Sequence, residues 1–299
     1  MRPAALVPAL AVALVLPLAG CTTAPDNRAD GELRIVASTD VYADLAGMVA
    51  PDEADLVAVI SGAQDPHEYE ATGRVQLQLS RADIVIVNGG GYDDFMTRLL
   101  EASGNDDAIV VDAVAVSGLD AGAEGFNEHV WYDYDATGRL LDAVADAVGR
   151  VDPAAADGAR QDAVAARAAL DALSGSAASI AAAAGGAGVI VTEPVPLYLL
   201  DRLGLNNLTP PEFSEAIEKA RTSPCTAVGV LTIIGDSSAA LVVTTRRPGA
   251  AGPARSSMLD QGRLPVIGVT RTASRRHGLP GLAGGVQIGW RSPRPGPVA

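Results

Sequence analysis

The sequence predicts an α/β protein in which two lobes, each built on a parallel sheet, are joined by a long backbone helix. Three observations predict it. From Leu33 to Val111, short apolar runs bounded by Gly, Asn or Ser alternate with helical stretches, the pattern of parallel strands linked by crossover helices. Residues 137–184 abandon that alternation for dense alanine with apolar residues at helical spacing. After Gly185-Gly186 the alternation resumes at Val189.

Each element follows from local chemistry. Leu33 to Ala37 and Asp55 to Ile60 are strand-like runs, with a helix over Asp44 to Val49 between them. Arg74 to Arg81 reads as a helix, and Ile84-Val85-Ile86-Val87 as a fully buried strand stopped by Asn88-Gly89-Gly90-Gly91. Phe95 to Ser103 is helical, and Ile109-Val110-Val111 is the next strand. In the alanine-rich segment, Leu140, Leu141, Val144, Ala147 and Val148 share a helix face. Pro153 breaks or restarts that helix, and a second helix is expected over Ala154 to Ala172. Strands are expected at Val189 to Thr192, Leu231 to Ile234, Ala240 to Val243 and Val266 to Val269. The domain organisation expected is a signal peptide at 1–20, a tether at 21–32, a first lobe at 33–136, a helical connection at 137–184 and a second lobe at 185–299.

The 299 residues, 48% of them hydrophobic, suffice for one large or two small cores. A net charge of −14 argues against nucleic-acid partners, which need a basic surface to neutralise phosphates. Arg2 followed by the apolar run Ala4 to Leu18 reads as a secretory signal, somewhat short for a membrane span. It ends in Leu18-Ala19-Gly20-Cys21, which resembles a bacterial lipobox with Cys21 as the lipidated residue. Cys225 is then the one other cysteine, so no intramolecular disulfide is expected.

The chain has three histidines, and two of them stand in polar, turn-like contexts. His67 lies in Asp65-Pro66-His67-Glu68-Tyr69-Glu70, and His129 in Asn127-Glu128-His129-Val130-Trp131-Tyr132-Asp133. Glu193 follows an expected strand, in Thr192-Glu193-Pro194. Ligands of open α/β sheets bind beyond the carboxyl ends of strands, where these three residues are expected to sit. Two imidazoles and a carboxylate suit a first-row divalent cation. Each residue alone would more often be a surface or capping group. The three together point to metal.

These motifs resemble the solute-binding proteins of zinc and manganese ABC importers, the cluster 9 or class A-I family. Ile35 to Asp44 is similar to the family's first strand and helix, the His67 segment to its first metal-ligand motif, and His129-Val130-Trp131-Tyr132-Asp133 to its second. Glu128 stands where the family usually has Pro. Thr192-Glu193-Pro194, with Leu197 to Leu200 and Pro210 to Phe213, resembles the third-ligand region. The resemblance spans about residues 33–218. It implies two lobes joined by a rigid helix and a monomer that carries Zn²⁺ or Mn²⁺ as its ligand, not as a catalytic cofactor. His67, His129 and Glu193 would hold the metal for delivery to an ABC permease and its ATPase, with no catalytic residues.

The resemblance fails at the C-terminus. The family's fourth ligand is an Asp in a motif like TDYLxW, and none follows Val266 to Thr270 here. Codons for His277 to Gly284, read one base over, can spell TDYLAWQ. Those for Val243 to Pro248, shifted by two bases, give a weaker match to a family-like strand end. Charge changes in the same region: residues 219–299 hold 11 Lys/Arg and 2 Asp/Glu, against 11 and 34 in residues 1–218. Residues from about 219 onward therefore read as carrying frameshifted stretches, around surviving in-frame pieces at Ala239 to Val242 and Val266 to Thr270. The second lobe is expected to be incomplete or disordered from about 219. Other readings of the chain are a metal-dependent hydrolase, although no HExxH helix is present, a surface adhesin on the same scaffold, and the inactive product of a damaged gene.

Overall fold

The computed structural model describes residues 32–61, 69, 72–210, 213, 239–246 and 266–270. The expected signal segment, Cys21, all but the last residue of the tether, His67 and the expected strand at 231–234 lie outside the described residues.

The first lobe is a four-stranded sheet of β1 (Arg34–Thr39), β2 (Asp55–Ile60), β3 (Ile84–Val87) and β4 (Ile109–Asp112). Its order is β2-β1-β3-β4, and every pairing is parallel. Four helices accompany these strands: α1 (Asp40–Ala46), α2 (Gly73–Leu79), α3 (Asp94–Ser103) and α4 (Ala113–Ser117). β3 shows why a continuous apolar run forms a central strand. Successive side chains leave opposite faces. Ile84 and Ile86 enter one core with Ile35, Tyr42 and Leu141, while Val85 and Val87 enter another with Val36, Leu79, Phe95 and Met96.

The connecting segment is two helices, α5 (Tyr134–Val151) and α6 (Ala156–Ala184). α5 starts earlier than its apolar face predicts because Asp133 caps it: the carboxylate accepts from the main-chain N–H groups of Asp135 and Ala136, both at 2.9 Å. Leu140, Leu141, Val144 and Val148 of α5 belong to the first lobe's core. α6 lies on α5 through a narrow stripe of Ala159, Ala163, Ala166 and Leu170. α6 runs past Ala172 because the isolated Gly175 is tolerated within it, and it ends at Gly185, whose φ of +57° makes a left-handed turn. At 1.5 Å per residue it is roughly 43 Å long.

The second lobe repeats the first lobe's strand plan. β5 (Gly188–Val191), β6 (Asn206–Asn207), β7 (Leu241–Arg246) and β8 (Val266–Thr270) form a parallel sheet in the order β6-β5-β7-β8. Helix α7 (Leu197–Arg202) links β5 to β6. Val189, Val191, Leu200 and Val243 pack together on one side of the sheet, and Ile190, Ala239 and Val242 on the other. Of residues 219–299, the described ones are the short pieces at 239–246 and 266–270, which contain the two expected in-frame segments and supply two of the four strands. Among the described residues no helix is long and apolar enough to cross a membrane.

Candidate metal centre

In each sheet the chain reverses its direction of growth between two neighbouring strands, β1 and β3 in one and β5 and β7 in the other. Loops diverge there, leaving a crevice at the carboxyl ends. Glu193 lies two residues after the end of β5, at the crevice of the second sheet, and is partly buried. Asn88 follows β3 directly, at the crevice of the first.

His129 does not follow a strand as the sequence suggests. α4 and a loop intervene after β4, and His129 immediately precedes a 3-10 turn, Val130–Tyr132. It reaches the carboxyl end of the sheet through Asn88. The Asn88 amide donates to the carbonyl of Glu128 (3.0 Å) and to that of Gly89 (2.8 Å), and its oxygen accepts from the Tyr42 hydroxyl. Asn88 is in turn held by Asp93, whose carboxylate accepts from the main-chain N–H groups of Asn88 (2.6 Å) and Gly89 (2.9 Å). Gly89 sits at φ +75°, and a Cβ there would overlap the Asp112 carboxylate, so the turn requires glycine. Burial pushes the Asp93 carboxyl above its usual range, the main-chain hydrogen bonds from Asn88 and Gly89 pull it back, and the nearby Asp112 raises it further.

His129 is fully buried. Tyr92 and Trp131 meet its ring edge-on, at centroid distances of 5.6 and 5.2 Å. Its Nδ1 lies 2.6 Å from Oδ1 of Asn127, and that oxygen also accepts from the His129 main-chain N–H at 3.2 Å. Asn127 reaches the second lobe as well. Its Nδ2 donates to the carbonyl of Pro194 at 2.9 Å, and its own carbonyl accepts from the Tyr198 hydroxyl at 2.7 Å. The loop carrying His129 is thereby fastened to the turn carrying Glu193. A second tie lies alongside: Arg202 of α7 bonds Asp135 (2.7 Å) and Ser174 (3.0 Å) and lies over the Tyr134 ring.

Among the described residues no three His, Cys, Asp or Glu side chains lie close enough together to hold a metal ion. The Asn127 contacts bring the segments of His129 and Glu193 together, while His67 and all of its motif but Tyr69 fall outside the described residues. Sequence reasoning missed Asn88, Asp93, Asn127 and Tyr198. Asn127 carried a faint signal, since an amide two residues before a turn histidine is well placed to meet its ring.

Burial also pushes the Tyr132 phenol up to about 12, against an ordinary value near 10. The folded chain therefore favours the protonated phenol. That advantage is whole below about pH 10 and is lost between about 10 and 12, an effect on the order of 2–3 kcal/mol. Tyr42, raised by burial, acts in the same direction. Urea midpoints are expected to fall across this window and to fall less steeply in Tyr132→Phe. Parallel curves for the two proteins would contradict the assignment.

The family described as zinc-uptake complex component A periplasmic, ZnuA, matches residues 35–240, well over half of the chain. The chain belongs to this family. Among curated relatives, it is 31% identical over 105 residues to the metal ABC transporter substrate-binding lipoprotein FimA of Streptococcus parasanguinis, a match covering 34% of each chain. It is 27% identical over 150 residues to the manganese-binding lipoprotein MntA of Halalkalibacterium halodurans, covering 48% of this chain and 49% of that one. These matches span about a third to a half of the relatives' length. The fold matches the binding protein FpvC of Pseudomonas aeruginosa, solved with Ni²⁺, at a TM-score of 0.65 and 22% identity, over 80% of this chain and 87% of that one. The chain therefore shares its α/β fold with that solved binding protein.

Proposed function

We propose that this chain is an extracytoplasmic receptor, lipid-anchored to the cell membrane through Cys21, that captures Zn²⁺ or Mn²⁺ between its lobes and delivers it to an ABC permease and its ATPase. His67, His129 and Glu193 hold the cation, and the chain works as a monomer without performing catalysis. Water completes a four-coordinate shell. The observation that carries this reading is the hydrogen bond from Asn127 to the Pro194 carbonyl, which sets the His129 loop against the residue that follows Glu193. Membership of a zinc-uptake family and the names of its manganese-binding relatives support it. Imidazole nitrogen with carboxylate oxygen suits either cation.

Residues from about 219 onward carry frameshifted stretches in this reading, which removes the fourth protein ligand. Resequencing the gene tests that part. Calorimetric titration of the full chain with Zn²⁺ and with Mn²⁺ tests the whole. One cation per chain, without hydrolysis of ester or peptide substrates, is expected. No saturable binding of either cation would sink the proposal.

A further inference from the structure

The contacts of Asn127 fix more than a loop. A carbonyl oxygen carries no proton, so the Asn127 atom facing Pro194 is the NH₂ group. A main-chain N–H can only donate, so the Asn127 atom facing His129 N is the oxygen. Both partners demand the same orientation of the amide. An amide oxygen cannot donate, so in the 2.6 Å contact the proton lies on His129 Nδ1. A neutral imidazole bears one N–H, which leaves the lone pair on Nε2. An unconstrained imidazole in water favours the opposite tautomer, so the protein is choosing.

We propose that Asn127 is a positioning residue that locks His129 in the Nδ1–H tautomer and so presents Nε2 as the donor atom toward a divalent cation. The second lobe enforces this choice, because the Pro194 carbonyl pins the amide from the side opposite the imidazole. The tautomer stands on geometry alone, and the role of Nε2 as a metal donor rests on the function proposed above. An outer partner that fixes a ligand's tautomer typically contributes about 10–100-fold in metal affinity. Asn127→Asp keeps an acceptor for Nδ1–H and loses the link to Pro194. Asn127→Ala loses both.

The test is long-range ¹⁵N–¹H correlation of the imidazole rings in the metal-free full chain, at a pH where imidazole is neutral, with Zn²⁺ titration of the same samples. Three histidines keep the spectrum simple, and His129→Ala assigns the signal. The parent and Asn127→Asp should show Nδ1–H at His129, with Zn²⁺ affinities within a few-fold of each other. Asn127→Ala should populate Nε2–H and bind Zn²⁺ about 10–100-fold more weakly. A pure Nδ1–H tautomer in Asn127→Ala would overturn the proposal. So would equal loss of affinity in both variants with tautomers unchanged. Unaltered Zn²⁺ binding by His129→Ala would overturn the donor role of Nε2 and the metal-site reading, while the tautomer comparison would still decide what Asn127 does.

Discussion

His129→Ala is expected to weaken Zn²⁺ or Mn²⁺ binding by about 100-fold or more. Structural zinc sites with four protein ligands yield roughly 10–16 kcal/mol, so each ligand carries several kcal/mol. His129 should sit at the upper end of that share. Its ring is fully buried, framed by Tyr92 and Trp131, and held at Nδ1 by Asn127. Little motion remains to be frozen when a cation arrives, so the ligand is preorganised. Removing the ring also opens a cavity, and His129→Asn serves as the control that retains polar volume. Calorimetry on both variants, with circular dichroism to confirm folding, checks the expectation. Parent-like affinity in a folded His129→Ala protein would remove His129 from the site.

Asn88→Ala should destabilise the chain by about 2–4 kcal/mol and loosen the metal site at the same time. The Asn88 side chain is buried and has three partners: the Tyr42 hydroxyl and the carbonyls of Gly89 and Glu128. Truncation strands buried polar groups, at about 1–3 kcal/mol for each one left unsatisfied. The Tyr42 hydroxyl is the costliest to strand, because it is wholly enclosed. Tyr42→Phe should therefore relieve part of the damage in the double variant, giving a favourable coupling of about 1 kcal/mol or more in urea unfolding. Additive losses would show that Asn88 and Tyr42 do not act as a pair. Because the Glu128 carbonyl belongs to the peptide bond that enters His129, metal affinity should fall along with stability.

Much of the scaffold is legible in the sequence. Ile84 to Val87 reads as a central strand because four apolar residues between turn signals leave no polar face. The alanine-rich segment reads as helix, and Gly185-Gly186 marks its end, although the expected second helix stops short at Ala172. Other elements are hidden for physical reasons. Ala113-Val114-Ala115-Val116-Ser117 alternates like a strand, yet folds as α4 because the Asp112 carboxylate caps it by accepting from the Ala115 N–H. β6 is two residues long and carries no periodicity. The partners that give Asn88 and Asn127 their roles lie far away in the chain: Asn88 meets Glu128 and Tyr42, and Asn127 meets Pro194 and Tyr198. Local sequence shows such residues only as turn formers. His129 and Glu193 stood out for the opposite reason, since metal-binding side chains are few in kind and histidine is scarce in this chain.

The most direct test of the central claim is X-ray absorption at the zinc edge of the Zn²⁺-loaded chain. The proposed site predicts a first shell of nitrogen and oxygen only, at about 2.0–2.1 Å, with outer-shell scattering from two imidazoles. Substituting either His67 or His129 should reduce that scattering to one ring. A shell containing sulfur, or scattering from two imidazoles that survives both substitutions, would contradict the assignment of His67, His129 and Glu193 as the cation's ligands.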